Sequence, residues 1–242
     1  MSLSQTFYQH LVLVGIPVAA IQKGVFMRVG IISATGPAGQ AVALRLAASG
    51  IEVQVGSRSL EKSQQIVSAL LEEWSDKNLA LLPATNEQAC DNELVICAAP
   101  AEACLDVLYK LRNLLEEKVL VSMVNAMFLA GKQLHPWIPA RGSMAAEMQA
   151  LLPKTKVSIA FQHLPAGKVA DIASTLTADV LVCADDVTAR NATMAMVEKV
   201  TGLRALNCGG LANAGPIEQM TAVLVNLNII YKSHVTLGIL GL

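Results

Sequence analysis

The chain has 242 residues, of which 53% are hydrophobic, 15% charged and 4% aromatic, with a formal net charge of -1. That length can bury a substantial core. The near-neutral charge gives no basic field for nucleic acid, and the few aromatics give no base-stacking platform. The high apolar and low charged fractions suit a mostly parallel sheet covered by helices on both faces, where strands are apolar throughout. Cys90, Cys97, Cys104, Cys183 and Cys208 show no CxxC spacing, and His10, His135, His163 and His234 are scattered. Buried, reduced thiols in a cytoplasmic protein are therefore expected, with no metal site.

Residues 1–26 read as an N-terminal extension. Its apolar run, Leu11 to Ile21, lacks a basic flank and a small-residue cleavage site. The run is also shorter than the ~20 apolar residues that span a bilayer, so no membrane partner is expected. It reads as an arm that packs on the protein or on a partner subunit.

A regular pattern begins at Met27. Arg28 to Ser33 is a short buried strand, Thr35 to Gly39 a turn, and Gln40 to Ser49 a helix stopped by Gly50. Glu52 to Gly56 is a second strand, and Ser59 caps a helix running toward Trp74. Leu79 to Leu82, Glu93 to Ala98 and Lys118 to Ser122 are further strands, with helical stretches around Thr85 to Cys90 and Ala101 to Leu115. A Pro-containing loop from His135 to Pro139 precedes a helix from Ser143 to Leu152 and a strand from Lys156 to Phe161. Past Pro165, Asp179 to Cys183 and Leu203 to Leu206 are strands around a helix from Val187 to Val200, and Gly210 to Tyr231 is one long apolar helix. The expected architecture is an α/β, doubly wound Rossmann-type parallel sheet with a smaller C-terminal α/β unit. Its expected divisions are residues 27–165 for the larger, Rossmann-type domain and 166–242 for the small domain.

The first strand-to-helix turn reads Ala34-Thr35-Gly36-Pro37-Ala38-Gly39. It keeps the second and third glycines of the G-x-G-x-x-G dinucleotide fingerprint and replaces the first by Ala34. Gly36 lets backbone approach a pyrophosphate and Gly39 lets helix and strand pack closely. Pro37 suits a first helical position, and the helix N-terminus favours an anion. A tight turn with no ligand is the plain alternative. Where NAD-preferring folds carry an acidic residue after the second strand, this chain reads Ser57-Arg58, with Lys62 four residues on. Arg58 can pair bidentately with a 2′-phosphate, Ser57 can donate a hydroxyl and Lys62 adds charge, so NADP is the expected cofactor.

Several segments together resemble the NADPH:F420 oxidoreductase family. They are the opening Met27-Arg28-Val29-Gly30-Ile31-Ile32, Thr35-Gly36, Ala43-Leu44-Arg45-Leu46-Ala47 and Val55-Gly56-Ser57-Arg58. Ser143 with Ala145-Ala146-Glu147 and Leu181 to Asp186 follow. The most specific stretch is Gly202 to Leu206 with Gly210 to Ala214, then Glu218, Leu224, Asn226, Asn228 and Tyr231 to His234. The resemblance implies an oxidoreductase that passes hydride between NADP(H) and a deazaflavin, coenzyme F420, or a flavin-like acceptor. It implies a homodimer, and catalysis by positioning two rings without a catalytic acid or base. By matching position, Thr35, Gly36, Pro37 and Ala38 would cradle the pyrophosphate, and Ser57, Arg58 and Lys62 the 2′-phosphate. Ala99, Pro100, Ser122 and Val124 would line the nicotinamide path, and Gln162, Leu164 and Ala166 would face the second ring.

The chain departs from the family pattern at three places: Ser33-Ala34 for a double glycine, Ser122 to Ala126 without a proline, and Gln162-His163-Leu164 for His-Thr-Ile. Two other readings stay open. One is an NADP-dependent reductase of a small imine or carbonyl compound, with His163 as a candidate proton donor. The other is a non-enzymatic NADP-sensing protein without the second pocket.

Overall fold

The computed structural model describes residues 27–242, so the expected N-terminal arm lies outside the described residues. Its main sheet has eight strands in the order β10-β9-β8-β5-β4-β1-β2-β3. The strands are β1 (Arg28–Ile32), β2 (Glu52–Ser57), β3 (Leu81–Thr85), β4 (Leu94–Cys97) and β5 (Val119–Ser122), then β8 (Lys156–Ile159), β9 (Ala178–Ala184) and β10 (Leu203–Asn207). A separate antiparallel hairpin, β6 (Met127–Ala130) with β7 (Gln133–Pro136), occupies the loop expected between the fifth strand and the next helix. Helices α1 (Pro37–Ala48), α2 (Leu60–Glu73), α3 (Asn86–Ala89), α4 (Ala101–Leu111), α5 (Met144–Leu151), α6 (Ala166–Ala170), α7 (Val187–Glu198) and α8 (Ala214–Tyr231) connect and cover the strands.

The apolar strands bury both faces, as a helix-covered parallel sheet requires. Along β1 the side chains alternate between two cores. Val29 and Ile31 join Val53, Val55 and the apolar face of α1, whereas Ile32 joins Val95, Cys97 and Leu120 under α4 and α5. Strands β3-β2-β1-β4-β5-β8 are parallel throughout, with the order reversing at β1, which pairs with both β2 and β4.

The C-terminal strands extend this same sheet, and the joint departs from the all-parallel expectation. Strand β9 runs antiparallel to β8, and β10 is parallel to β9. The eighteen residues between β8 and β9 hold a turn and the short α6 in place of a full crossover helix, and the chain returns in the opposite sense. A bidentate pair locks β10 to β9: Arg204 Nε and Nη2 donate to Asp179 at 2.6 and 2.7 Å. Arg204 also donates to the Ile239 and Leu242 carbonyls, fastening the chain end along this edge.

The last long helix begins later than expected, because residues 211–213 form a 3-10 turn before α8. Two side chains fix it. Asn226 donates to the Leu134 carbonyl and accepts from the Leu134 N–H, both at 2.8 Å, which holds the hairpin to α8. Buried Glu218 accepts from the Met144 and Ala145 N–H groups at 2.8 and 3.1 Å, so a carboxylate sits at the open N-terminus of α5.

Burial nevertheless pushes the Glu218 carboxyl up to about 7 from its ordinary 4.5, with the two backbone donors opposing that shift. Between those values the folded chain holds this proton more firmly than the unfolded chain does. Its contribution to stability is therefore complete below about pH 4.5 and is lost as pH rises through about 7. Denaturant titrations should show stability falling across that window by up to about 3 kcal/mol from this group. In Glu218→Gln that part of the slope should vanish; an unchanged slope would exclude Glu218 as its source.

Candidate nucleotide and hydride-transfer site

The C-terminal ends of β1, β2, β4 and β5 converge where the strand order reverses, the place at which open α/β sheets bind ligands. The turn after β1 is pinned on both sides. Ala34 N–H donates to the Gly56 carbonyl at 2.9 Å, and Ser33 N–H donates to Asn86 Oδ1 at 2.8 Å. Ser33 adopts φ 57, a left-handed conformation that glycine takes more easily. Ala34 is not among the positive-φ residues, so replacing the first fingerprint glycine by alanine imposes no left-handed strain.

The two retained glycines differ in their surroundings. A Cβ on Gly39 would lie 2.8 Å from the Ala34 Cα, so Gly39 permits the close approach of helix and turn. A Cβ on Gly36 would meet nothing within 4 Å, so Gly36 presents open backbone. Gly36 caps α1 with no side-chain hydrogen bond, and Pro37 occupies its first turn. Thr35, Pro37 and Ala38 are exposed at this mouth. A diphosphate fits this cradle, which offers uncapped amides, a helix dipole and space.

Ser57 closes β2 and is buried, whereas Arg58 and Lys62 are exposed. Ser59 Oγ accepts from the Lys62 N–H at 3.2 Å, capping α2. Among the described residues neither cation forms an ion pair, so both are available to a phosphate. On the other side of β1, Ala99 is buried and Pro100 is exposed as the residue before α4. Cys97 and Cys104, both fully buried, lie 3.8 Å apart at the two ends of this loop. Among the described residues every cysteine is free, and no group of three or more His, Cys, Asp or Glu side chains is placed to hold a metal.

A cavity of about 60 Å³ opens between α1 and the segment after β8. It brings together Ala38 of the turn after β1 with Gln162, Leu164 and Ala166. It also recruits Val42, Met123, Asn125, Phe161 and Val169, which the residue reading did not place in the site. Ser122 and Val124 do not line it. Both are buried, and Ser122 Oγ accepts from the Val124 N–H at 3.3 Å. Alternation along the extended segment explains the split, since residues 123 and 125 share one side and 122 and 124 the other.

The far wall is held by Arg45, which is 7% exposed. Its Nε donates to the Val169 carbonyl at 2.8 Å, Nη1 to Ser174 at 3.0 Å, and Nη2 to the Lys168 and Asp171 carbonyls. These are carbonyls at and beyond the C-terminal end of α6, where a cation is favourable. Burial lowers the Arg45 pKa from its ordinary value, and nearby Asp171 opposes the shift. Phe161, on the same wall, has φ 68, a strained conformation for an aromatic residue of the kind that concentrates at functional sites.

His163 turns away. Its Nε2 lies 2.9 Å from the Asp179 carbonyl and must therefore carry the hydrogen. Burial lowers its pKa, and it does not line the cavity, which removes it as the proton donor of an imine-type reaction.

The family model for coenzyme F420-dependent NADP oxidoreductases matches residues 28–126, the segment from β1 through the stretch after β5. An F420-dependent NADP reductase of Methanothermobacter thermautotrophicus is 32% identical over 212 residues, 86% of this chain and 91% of that protein. That of Methanocaldococcus jannaschii is 30% identical over 87% of this chain and 96% of its own length. The chain belongs to the F420-dependent NADP reductase family. Among solved structures, a candidate F420-dependent NADP reductase from Arthrobacter sp. FB24 shares the fold with a TM-score of 0.76 at 20% identity. That match covers 89% of this chain and all of the other.

If Arg58 reads the 2′-phosphate, Arg58→Ala should weaken NADPH binding about 10- to 100-fold, the loss of one charge-assisted bidentate contact, with little effect on NADH. Fluorescence titration with both nucleotides measures this, and an equal loss for both would overturn the assignment.

Proposed function

We propose that this family member transfers hydride between NADP(H) and the deazaflavin coenzyme F420, with a flavin-like ring as the nearest alternative acceptor. The observation that carries it is the junction at one cavity of the phosphate turn, through Ala38, with a separate apolar wall of Leu164, Ala166 and Val169. Bound NADPH would supply the hydride from its reduced nicotinamide, and the acceptor would take that hydride with a proton from solvent.

The chain's own residues bind and orient. Thr35, Gly36, Pro37, Ala38 and Gly39 cradle the diphosphate, and Ser57, Arg58 and Lys62 take the 2′-phosphate. Ala99 and Pro100 shape the nicotinamide path, with Ser122 and Val124 backing it from the buried side of their segment, while Gln162, Leu164 and Ala166 face the second ring. No side chain is assigned a proton-transfer role, so the rate comes from holding two rings in contact away from water. Residues 27–165 are the nucleotide unit and 166–242 the unit that closes the cleft, with Arg45 linking them. The imine reductase and sensor readings lose support, the first through the position of His163 and the second because the cavity is open.

Anaerobic mixing with NADPH should bleach the F420 absorbance with turnover, and NADH should be a poor donor. Absence of any bleaching with F420 or with free flavins would sink the reading.

The same proposal includes a cytoplasmic homodimer. Phe128, Leu129, Trp137 and Ile138 around the hairpin, and Val223, Ile229, Ile230 and Tyr231 on α8, are exposed apolar side chains among the described residues. The reduced thiols suit the cytoplasm, and among the described residues no helix is long and apolar enough to cross a membrane. Light scattering should give twice the chain mass, and Ile230→Glu should shift it toward the monomer. A monomeric native protein would refute the pairing.

A further inference from the structure

Three buried polar atoms in the cleft have no hydrogen-bond partner among the described residues: Gln162 Nε2, Gln162 Oε1 and Asn125 Oδ1. Both side chains line the cavity, and Gln162 is only 5% exposed. Their positions are not loose. Asn125 Nδ2 donates to the Gln162 carbonyl at 2.7 Å, and Thr221 Oγ1 reaches the same carbonyl at 3.4 Å. The two carboxamides thus form a fixed pair with one donor group and two acceptors unspent. Leaving buried polar atoms unsatisfied costs stability, and native proteins retain few of them.

Resting on the NADP–deazaflavin reading, we propose that Gln162 and Asn125 select the acceptor or nicotinamide by its amide edge. The recognised group has an N–H beside a C=O. Gln162 Nε2 donates to the ligand carbonyl, while Asn125 Oδ1 or Gln162 Oε1 accepts from the ligand N–H. The cavity size agrees. About 60 Å³ holds roughly two waters, enough for the polar edge of a ring but not for a tricyclic body. The ring itself would lie outward on Leu164 and Ala166. Two sources carry this chemistry: the imide edge of a deazaflavin or flavin, and the carboxamide of the nicotinamide. A site built to hydrogen-bond such a group discriminates strongly against an analogue that lacks it, because its own buried atoms are then stranded.

The test uses the full chain and equilibrium binding, read by ring or nicotinamide fluorescence, with turnover recorded alongside. One arm compares a deazaflavin with its N3-methylated analogue in the presence of NADP⁺. The other compares NADPH with the analogue whose carboxamide is an acetyl group. The native protein should bind one modified ligand tenfold or more weakly, the arm that responds identifying the source. Gln162→Met should abolish that discrimination. The same variant, of nearly constant shape, should melt close to the native temperature in the ligand-free state, which separates lost recognition from lost folding. Equal binding of all analogues by native protein, or discrimination intact in Gln162→Met, would overturn the assignment. Either result would leave the hydride-transfer reading standing, since that depends on the bleaching of unmodified F420 by NADPH.

Discussion

Arg45 reaches from the middle of α1 to four backbone carbonyls between Lys168 and Ser174, and that reach ties one wall of the cleft to the other. Helix α6 has five residues, too few to satisfy its own terminal carbonyls by continuing as a helix. A planar guanidinium with five donors can serve several carbonyls at once, which a lysine ammonium on a flexible stem does poorly. Desolvating the charge is costly, and the carbonyl dipoles repay it only if all remain in place. The segment carrying Leu164, Ala166 and Val169 is thereby held at a fixed distance from Ala38 and Val42.

The nucleotide side obeys a different logic. There the sheet provides rigidity and the turn provides openness. Ala34 bonded to Gly56 ties the turn after β1 to the end of β2, so the proposed diphosphate cradle and the proposed 2′-phosphate contacts are held to one another. Ser33 absorbs the left-handed conformation and is compensated through its N–H bond to Asn86. The exposed cations stand outside the ion-pair network, consistent with binding a mobile anion rather than stabilising the fold.

Across the cleft, order is purchased from strain and unsatisfied polarity. Phe161 holds an unfavourable backbone conformation, and Gln162 beside it keeps both amide atoms unpaired. Such departures from local optimality mark the places where a fold serves something other than its own stability. They coincide with the positions where this chain differs from the family pattern, at Asn125 and Gln162.

Much of this was legible in the chain itself. The apolar strands and their helices follow from periodicity, Gly39 from the need for close helix packing, and the placing of Arg58 and Lys62 just after β2 from their spacing after the turn. The sense of β9 was not legible, because an apolar strand reads the same in either direction and the eighteen-residue connection is long enough for either sense. The hairpin β6–β7 escaped notice because its side chains are largely exposed and its pairing is completed by Asn226 from far along the chain. Met123 and Asn125, Arg45 with its carbonyls, and Glu218 beneath α5 were likewise matters for the folded molecule. Sequence determines what is local: period, turn chemistry and the charge that follows a strand. Tertiary structure decides which side of an extended segment faces the cleft and which buried polar groups find partners, because those depend on atoms brought together from distant parts of the chain.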